Sequence, residues 1–294
     1  MKENTTWNWM AHIIYCILVV ACLAPFLLLI SSSLTDEREI ISNGYSFFPK
    51  VFSTEAYDYL LSGGSNIVRA YGITAFVTII GAGTGLLMTA LLAYPLSRDD
   101  YPARTKLAFV VFFTLLFNGG LVPSYLVYTQ ILDLKNTIWA LILPGLLMNG
   151  FNVMLMLTFF RTSIPKAIIE SANMDGAGEF RIFWSIILRL STPVLATVGL
   201  FQTLNYWNDW MNGTIYLTDT SLYGVQNLLN RILSDAQFLA SNSFGANTST
   251  LTTSTPLETV KMAIAVIGVI PILIAYPFFQ KYFVKGIALG AVKG

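Results

Sequence analysis

Glu170 to Pro193 reads ESANMDGAGEFRIFWSIILRLSTP, a charged stretch rich in small residues between two long apolar segments. Just upstream, Ile164-Pro165 closes the preceding helix, because the residue before a proline disfavours the α conformation. Lys166 to Met174, KAIIESANM, then forms a short helix with Ile168, Ile169 and Ala172 on one side. Asp175-Gly176 breaks it, glycine supplying the backbone freedom for a sharp turn. A second helix starts at Ala177, runs to Leu188 and becomes the next apolar segment. The stretch is thus a helix–turn–helix knob. Its small residues Ser171, Ala172, Gly176 and Ala177 admit close packing by a partner, and Glu170 and Asp175 offer charge-assisted hydrogen bonds at its rim.

Outward from the knob, the chain reads as membrane. Of 294 residues, 55% are hydrophobic and 11% charged, with a mean hydropathy of +0.63. A soluble domain carries roughly a quarter charged residues, so this chain lacks the polar surface to face water on all sides. The expected class is an all-α integral membrane protein.

Crossing a bilayer takes about 20 apolar residues, and six stretches qualify: Met10 to Ser33, Val68 to Leu96, Lys106 to Tyr128, Thr137 to Phe160, Phe183 to Met211 and Val260 to Phe283. The first exceeds the 7–15-residue core of a signal peptide, and no small-x-small cleavage site follows it cleanly, so it reads as a retained helix. With the N-terminus inside, the inner segments hold 11 of the 17 Lys and Arg residues and the outer ones 6. By the positive-inside rule, both termini and the knob are expected in the cytoplasm.

Several functional classes lose support. A net charge of +1 with no basic stripe speaks against nucleic acid. Cys16 and Cys22 lie six residues apart in the first span and face different sides of it, and no metal-ligand spacing occurs, so neither a disulfide nor a metal is expected. His12, at the inner end of that span, reads as interfacial. A membrane enzyme would need a nucleophile, base or metal cluster that these residues do not supply. A secondary transporter would need coupling carboxylates buried mid-membrane, and no span carries a carboxylate near its centre.

The remaining features concern packing and water-facing loops. Residues 34–67 form a mixed segment whose Tyr45, Phe47, Phe48, Tyr57 and Tyr59 suit an amphipathic element at the outer interface. Gly81 and Gly85 give a G-x-x-x-G pair in the second span, expected to let another backbone approach closely. The last outer loop, Asn212 to Leu257, is long enough to be functional, at about 45 residues. Within it, Leu222 to Leu239 suits a short amphipathic helix. Asn118, Asn149 and Asn152 are polar groups inside spans, expected to face the bundle or a cavity and suited to hydrogen bonds between helices. Tyr206, Trp207, Asn208, Asp209 and Trp210 combine aromatic faces with polar groups, as a sugar contact or an interfacial belt would.

The knob closely resembles the EAA-loop signature of permease subunits in ATP-binding-cassette importers, E-A-A-x-x-D-G-A followed by an aromatic-rich helix start and a proline. Glu170-Ser171-Ala172, Asp175-Gly176-Ala177 and Pro193 match it in order and spacing. Ser171 replaces an alanine, and Arg189 stands where the family often has a proline. Further runs resemble carbohydrate-uptake permeases of the MalG and LplC type: Ser46 to Pro49, Ala93 to Arg98, Tyr206 to Trp210, and Val284 to Gly294.

The resemblance implies a type I importer permease fold, one transmembrane domain over 1–294, in a bacterial cytoplasmic membrane. Within it lie a core bundle (about 68–283), a cytoplasmic coupling loop (about 161–182), a long extracytoplasmic loop (about 212–257) and a cytoplasmic tail (about 284–294). It further implies a second six-helix permease, a homodimeric ATPase engaged by the knob and by Lys293 and Gly294 of the tail, and an extracytoplasmic sugar-binding protein. No P-loop occurs in this chain, so no cofactor is expected on it, and ATP and Mg belong to the partner ATPase. Importers of other solutes, such as peptide or phosphate, are the alternative.

Overall fold

The computed structural model describes residues 5–62, 65–242 and 257–291. Among them no β-strand occurs, only an isolated bridge between Thr35 and Phe52. The chain divides into two units, 1–67 with 229–271 and 68–228 with 272–294.

In the first unit, α1 (Thr5–Ser33) is continuous despite Pro25, and Ile14, Leu18 and Phe26 stand exposed along it, as lipid-facing residues do. Residues 34–67 give two short helices, α2 (Glu37–Asn43) and α3 (Glu55–Ser62). Asp36 caps α2 by accepting from the Arg38 amide at 2.9 Å. The segment ties down the end of α1, since Ser31 donates to the Ser46 carbonyl and Ser33 shares a bond with the Tyr57 hydroxyl, each at 2.8 Å. The Glu37 carboxylate accepts from the Glu258 and Thr259 amides at 2.8 and 2.9 Å. It thereby satisfies donors at the start of the last helix, which its own turns leave free.

The second unit is a bundle with interrupted helices. α4 (Ser65–Ser97) is a single long rod into which three residues of the first unit extend. The third candidate span is α5 (Arg104–Leu116) and α6 (Leu121–Leu126), the latter continuing to Ile131. These two legs bend by 114°. Asn118-Gly119-Gly120 explains the bend: Gly120 takes φ +84, a conformation that glycine adopts freely, and Asn118 accepts from its amide at 2.8 Å.

Thr137 to Phe160 is not one helix either. A short turn, Ile138–Leu141, is followed by Pro144 and by Gly145 at φ +69. α7 (Gly150–Ser163) starts only afterwards. Its 14 residues reach about 21 Å, short of the ~30 Å hydrocarbon layer.

The fifth candidate breaks at Ser191. A leg over Glu179–Leu190 meets α11 (Thr192–Trp207) at 83°, because Pro193 has no amide to continue the ladder. Among the described residues, three continuous helices are long and apolar enough to cross a membrane, and the two bent pairs bring the number to five if each is one span. The amphipathic helix expected over Leu222 to Leu239 is found as α13 (Val225–Asn242), while Asn247 to Thr255 lie outside the described residues. The last span is α14 (Leu257–Ala291).

Candidate functional site

α8 (Lys166–Met174) matches the short helix read from the sequence. Ile164 is extended and Pro165 precedes the first turn, so the local proline rule sets its start. Its end is a turn in which Gly176 takes φ +75 and the Ala177 amide donates to the Ala172 carbonyl at 3.0 Å. The second knob helix begins at Glu179, after Gly178, rather than at Ala177. Among the small residues, Ala172 is buried and Ala177 packs against the same apolar cluster, while Ser171 and Gly176 face outward. Ile169 joins that cluster and Ile168 does not.

What the knob presents outward is mixed. Glu170 and Asp175 are exposed, and beside them Met174 is 89% and Phe180 76% exposed. Large apolar side chains thus stand exposed beside carboxylates on one face of the knob.

The turn Arg98-Asp99-Asp100 meets the knob from both sides, which the sequence reading did not anticipate. Asp99 accepts from Lys166, the first residue of α8, and from Arg104, with Arg161 at 3.9 Å. Arg98 is held in a fork by Asp100, at 2.9 and 2.7 Å, and lies 3.4 Å from Glu179. Glu179 also accepts from the Tyr94 hydroxyl at 2.5 Å. The hydrogen bonds from Lys166 and then Arg104 hold the Asp99 carboxyl down to about 2. That from Arg98 lowers Asp100, and its counterpart raises Arg98. Two hollows, of about 350 and 440 Å³, flank the turn.

The residues read as substrate-path candidates (Asn118, Asn149, Asn152 and Tyr206 to Asp209) each have local surroundings of their own. Tyr206 is fully buried, donates to the Ile142 carbonyl at 2.9 Å and lies against Gly81, where a Cβ would run into its ring. Gly85 likewise faces the Leu147 carbonyl and the Gln202 amide, so the G-x-x-x-G pair serves internal packing. Trp207 tilts against Tyr71, with centroids 6.1 Å apart. Asn208 bonds back to Leu204, and Asp209 accepts from the Asn212 amide at 3.2 Å. Asn118 and Asn149 bond to backbone amides two residues on, which makes them turn and cap residues rather than links between helices. Asn152 is buried within α7. Lys293 and Gly294 lie outside the described residues. No group of three or more His, Cys, Asp or Glu able to hold a metal occurs among the described residues.

Residues 109–289 match the family described as the binding-protein-dependent transport system inner membrane component. The chain belongs to that family. Its members are the membrane component of a transport system, so the chain's part is passage through a membrane rather than catalysis of a covalent step. The permease is 36% identical to the polygalacturonan/rhamnogalacturonan transport system permease protein YtcP of Bacillus subtilis, over 99% of this chain and 100% of the relative. It is 38% identical to protein LplC of the same organism, over 92% and 89%. Among solved structures it is similar to a bacterial ABC transporter involved in the import of the acidic polysaccharide alginate. The TM-score there is 0.79 with 28% identity, over 96% of this chain and 98% of the other.

Proposed function

We propose that this chain is one of two membrane-spanning subunits of an ATP-binding-cassette importer for oligosaccharides. The observation that carries the reading is the knob: a Glu-Ser-Ala-x-x-Asp-Gly-Ala run folded as helix, turn and helix, with exposed carboxylates and exposed Met174 and Phe180. Glu170, Ser171, Asp175 and Gly176 form its outer surface, and Ala172 and Ala177 anchor it to the body. A homodimeric ATPase, holding ATP and Mg, docks on this knob from the cytoplasm, and the tail ending in Lys293 and Gly294 reaches the same partner. The chain crosses a bacterial cytoplasmic membrane six times as one permease domain with both termini inside, its third to fifth crossings interrupted. Broken helices at membrane depth are tolerated where they pack in protein or line a path, and here the path runs along the interface with a second six-helix permease.

An extracytoplasmic sugar-binding protein delivers the cargo to the outer face, where the loop between α11 and α14 meets it. Relatives named for polygalacturonan, rhamnogalacturonan and arabinooligosaccharides, with the alginate importer, support oligosaccharides as cargo. Uronate-bearing chains are the first class to test.

A gentle-detergent pull-down of tagged chain, with mass spectrometry of its companions, tests this reading. Recovery of a second permease and a P-loop ATPase is expected. A chain recovered alone, or as a homodimer that transports in liposomes, overturns it.

A further inference from the structure

The knob is joined to α7 and to the rest of the leg over Glu179–Leu190 by the chain itself, but α4 is far away in sequence. Asp99 and Lys166 are 67 positions apart, and Arg98 and Glu179 are 81. Tyr94 of α4 bonds to Glu179 and the end of α4 shares an apolar cluster with Ala172, and the turn that ends α4 adds ion pairs at both ends of the knob. Lys166 opens α8, and Glu179 opens the leg that leaves the knob.

Two hollows flank these ion pairs. One hollow lies between α4 and Phe180, and the other between the turn and α8. Exposed ion pairs add little to stability, yet these have features of a rigid connection. Arg98 is forked on Asp100 and its side chain is only 12% exposed. Asp99 gathers three cations, from α5, α7 and α8.

Further along α4, Gly81 and Gly85 lie in tight contact with Tyr206 and Gln202 of α11. Movement of the knob therefore has a mechanical route through the turn into α4, and from α4 into α11.

We propose that Arg98-Asp99-Asp100 is an ionic strap that transmits displacement of the knob to α4, and that Asp99 and Glu179 are its positioning residues. The inference rests on the importer reading, since displacement needs an ATPase on the knob. In this account the strap sets how much sugar moves per ATP, while the knob itself sets whether the ATPase binds.

The test reconstitutes the whole complex with its binding protein in liposomes and measures sugar imported and ATP hydrolysed together. Asp99→Asn with Glu179→Gln is expected to lower sugar per ATP about tenfold, a coupling of ordinary size, while the ATPase still co-purifies. The charge-keeping variant Asp99→Glu restores most of the ratio. Lys166→Gln, which removes one exposed cation from the strap, shifts the ratio the same way and serves if the double variant fails to assemble.

An unchanged ratio overturns the strap, whether or not yield falls, because a merely structural role lowers yield without altering sugar per ATP. Glu170→Lys with Asp175→Lys separates the two readings. Loss of the ATPase in that variant beside an unchanged ratio in the strap variant leaves the importer standing without its strap. A wild-type chain that binds no ATPase overturns both.

Discussion

The knob at Lys166–Phe180 and the corner at Tyr206–Trp210 both combine aromatic or apolar residues with polar ones, yet the fold uses them in opposite ways. The knob turns Met174, Phe180, Glu170 and Asp175 outward and buries only small anchors. The corner turns Tyr206 inward, against Gly81 and the Ile142 carbonyl. Similar composition thus yields an exposed face in one place and a clasp for the bundle in the other. The difference comes from what stands opposite: a glycine-lined helix admits the Tyr206 ring, whereas nothing within the described chain covers Met174.

Variants at the knob should abolish function without loss of stability, and variants at the corner should lower stability without loss of the ATPase. The largest expected effect is at the knob. Glu170→Lys with Asp175→Lys brings sugar uptake to background while the chain still inserts in the membrane, as fractionation and uptake assays would register. Normal uptake by that variant ends the coupling role.

Gly81→Ala comes next, because its methyl group displaces the Tyr206 ring. Thermal unfolding in detergent should show a loss of about 1–3 kcal/mol, the range for overpacking a filled site, with ATPase recruitment intact. Tyr206→Phe leaves the Ile142 carbonyl without its donor and should cost about 1.5 kcal/mol by the same measurement.

Asn149→Ala removes the α7 cap, for about 1 kcal/mol. A loss of sugar transport in Asn149→Ala with stability unchanged would instead make that residue part of the path.

The smallest expected effect is that of pH. A carboxylate with a depressed pKa contributes fully above its ordinary value of about 3.9 and loses that contribution only as pH falls through its folded value, here about 2. The groups facing Asp99 are the cations Arg104, Arg161 and Lys166. The ratio of wild-type to Asp99→Asn transport should therefore stay level from about pH 8 to about pH 5, and a fall towards acid would mean that Asp99 gains a proton there.

The knob was legible because its signals are local. Pro165 starts α8 and Asp175-Gly176 stops it, and each rule acts within a few residues. The interruptions at Asn118-Gly119-Gly120, Pro144-Gly145 and Pro193 carry the same turn signals, but a window of about 20 apolar residues averages over them, so three candidate spans came out continuous. Asn149 before Gly150 is likewise a cap signature, which a reading of mid-membrane asparagines as links between helices passed over.

The Arg98-Asp99-Asp100 turn gave no local sign of its partners. A charged turn after an apolar helix looks the same whether it is solvated or clasps residues 67 and 81 positions away. The Tyr206–Gly81 contact was hidden for the same reason. Its two halves lie on different helices, and only the fold shows that one fits the other.

In the proposed importer, an ATPase covers the outward face of the knob. A photo-crosslinking residue at Met174, which is 89% exposed at the end of α8, tests it in intact cells. One dominant crosslinked product containing a P-loop ATPase subunit is expected, and its loss when Glu170→Lys and Asp175→Lys are added. Crosslinks to lipid, or to a protein on the opposite side of the membrane, would contradict it.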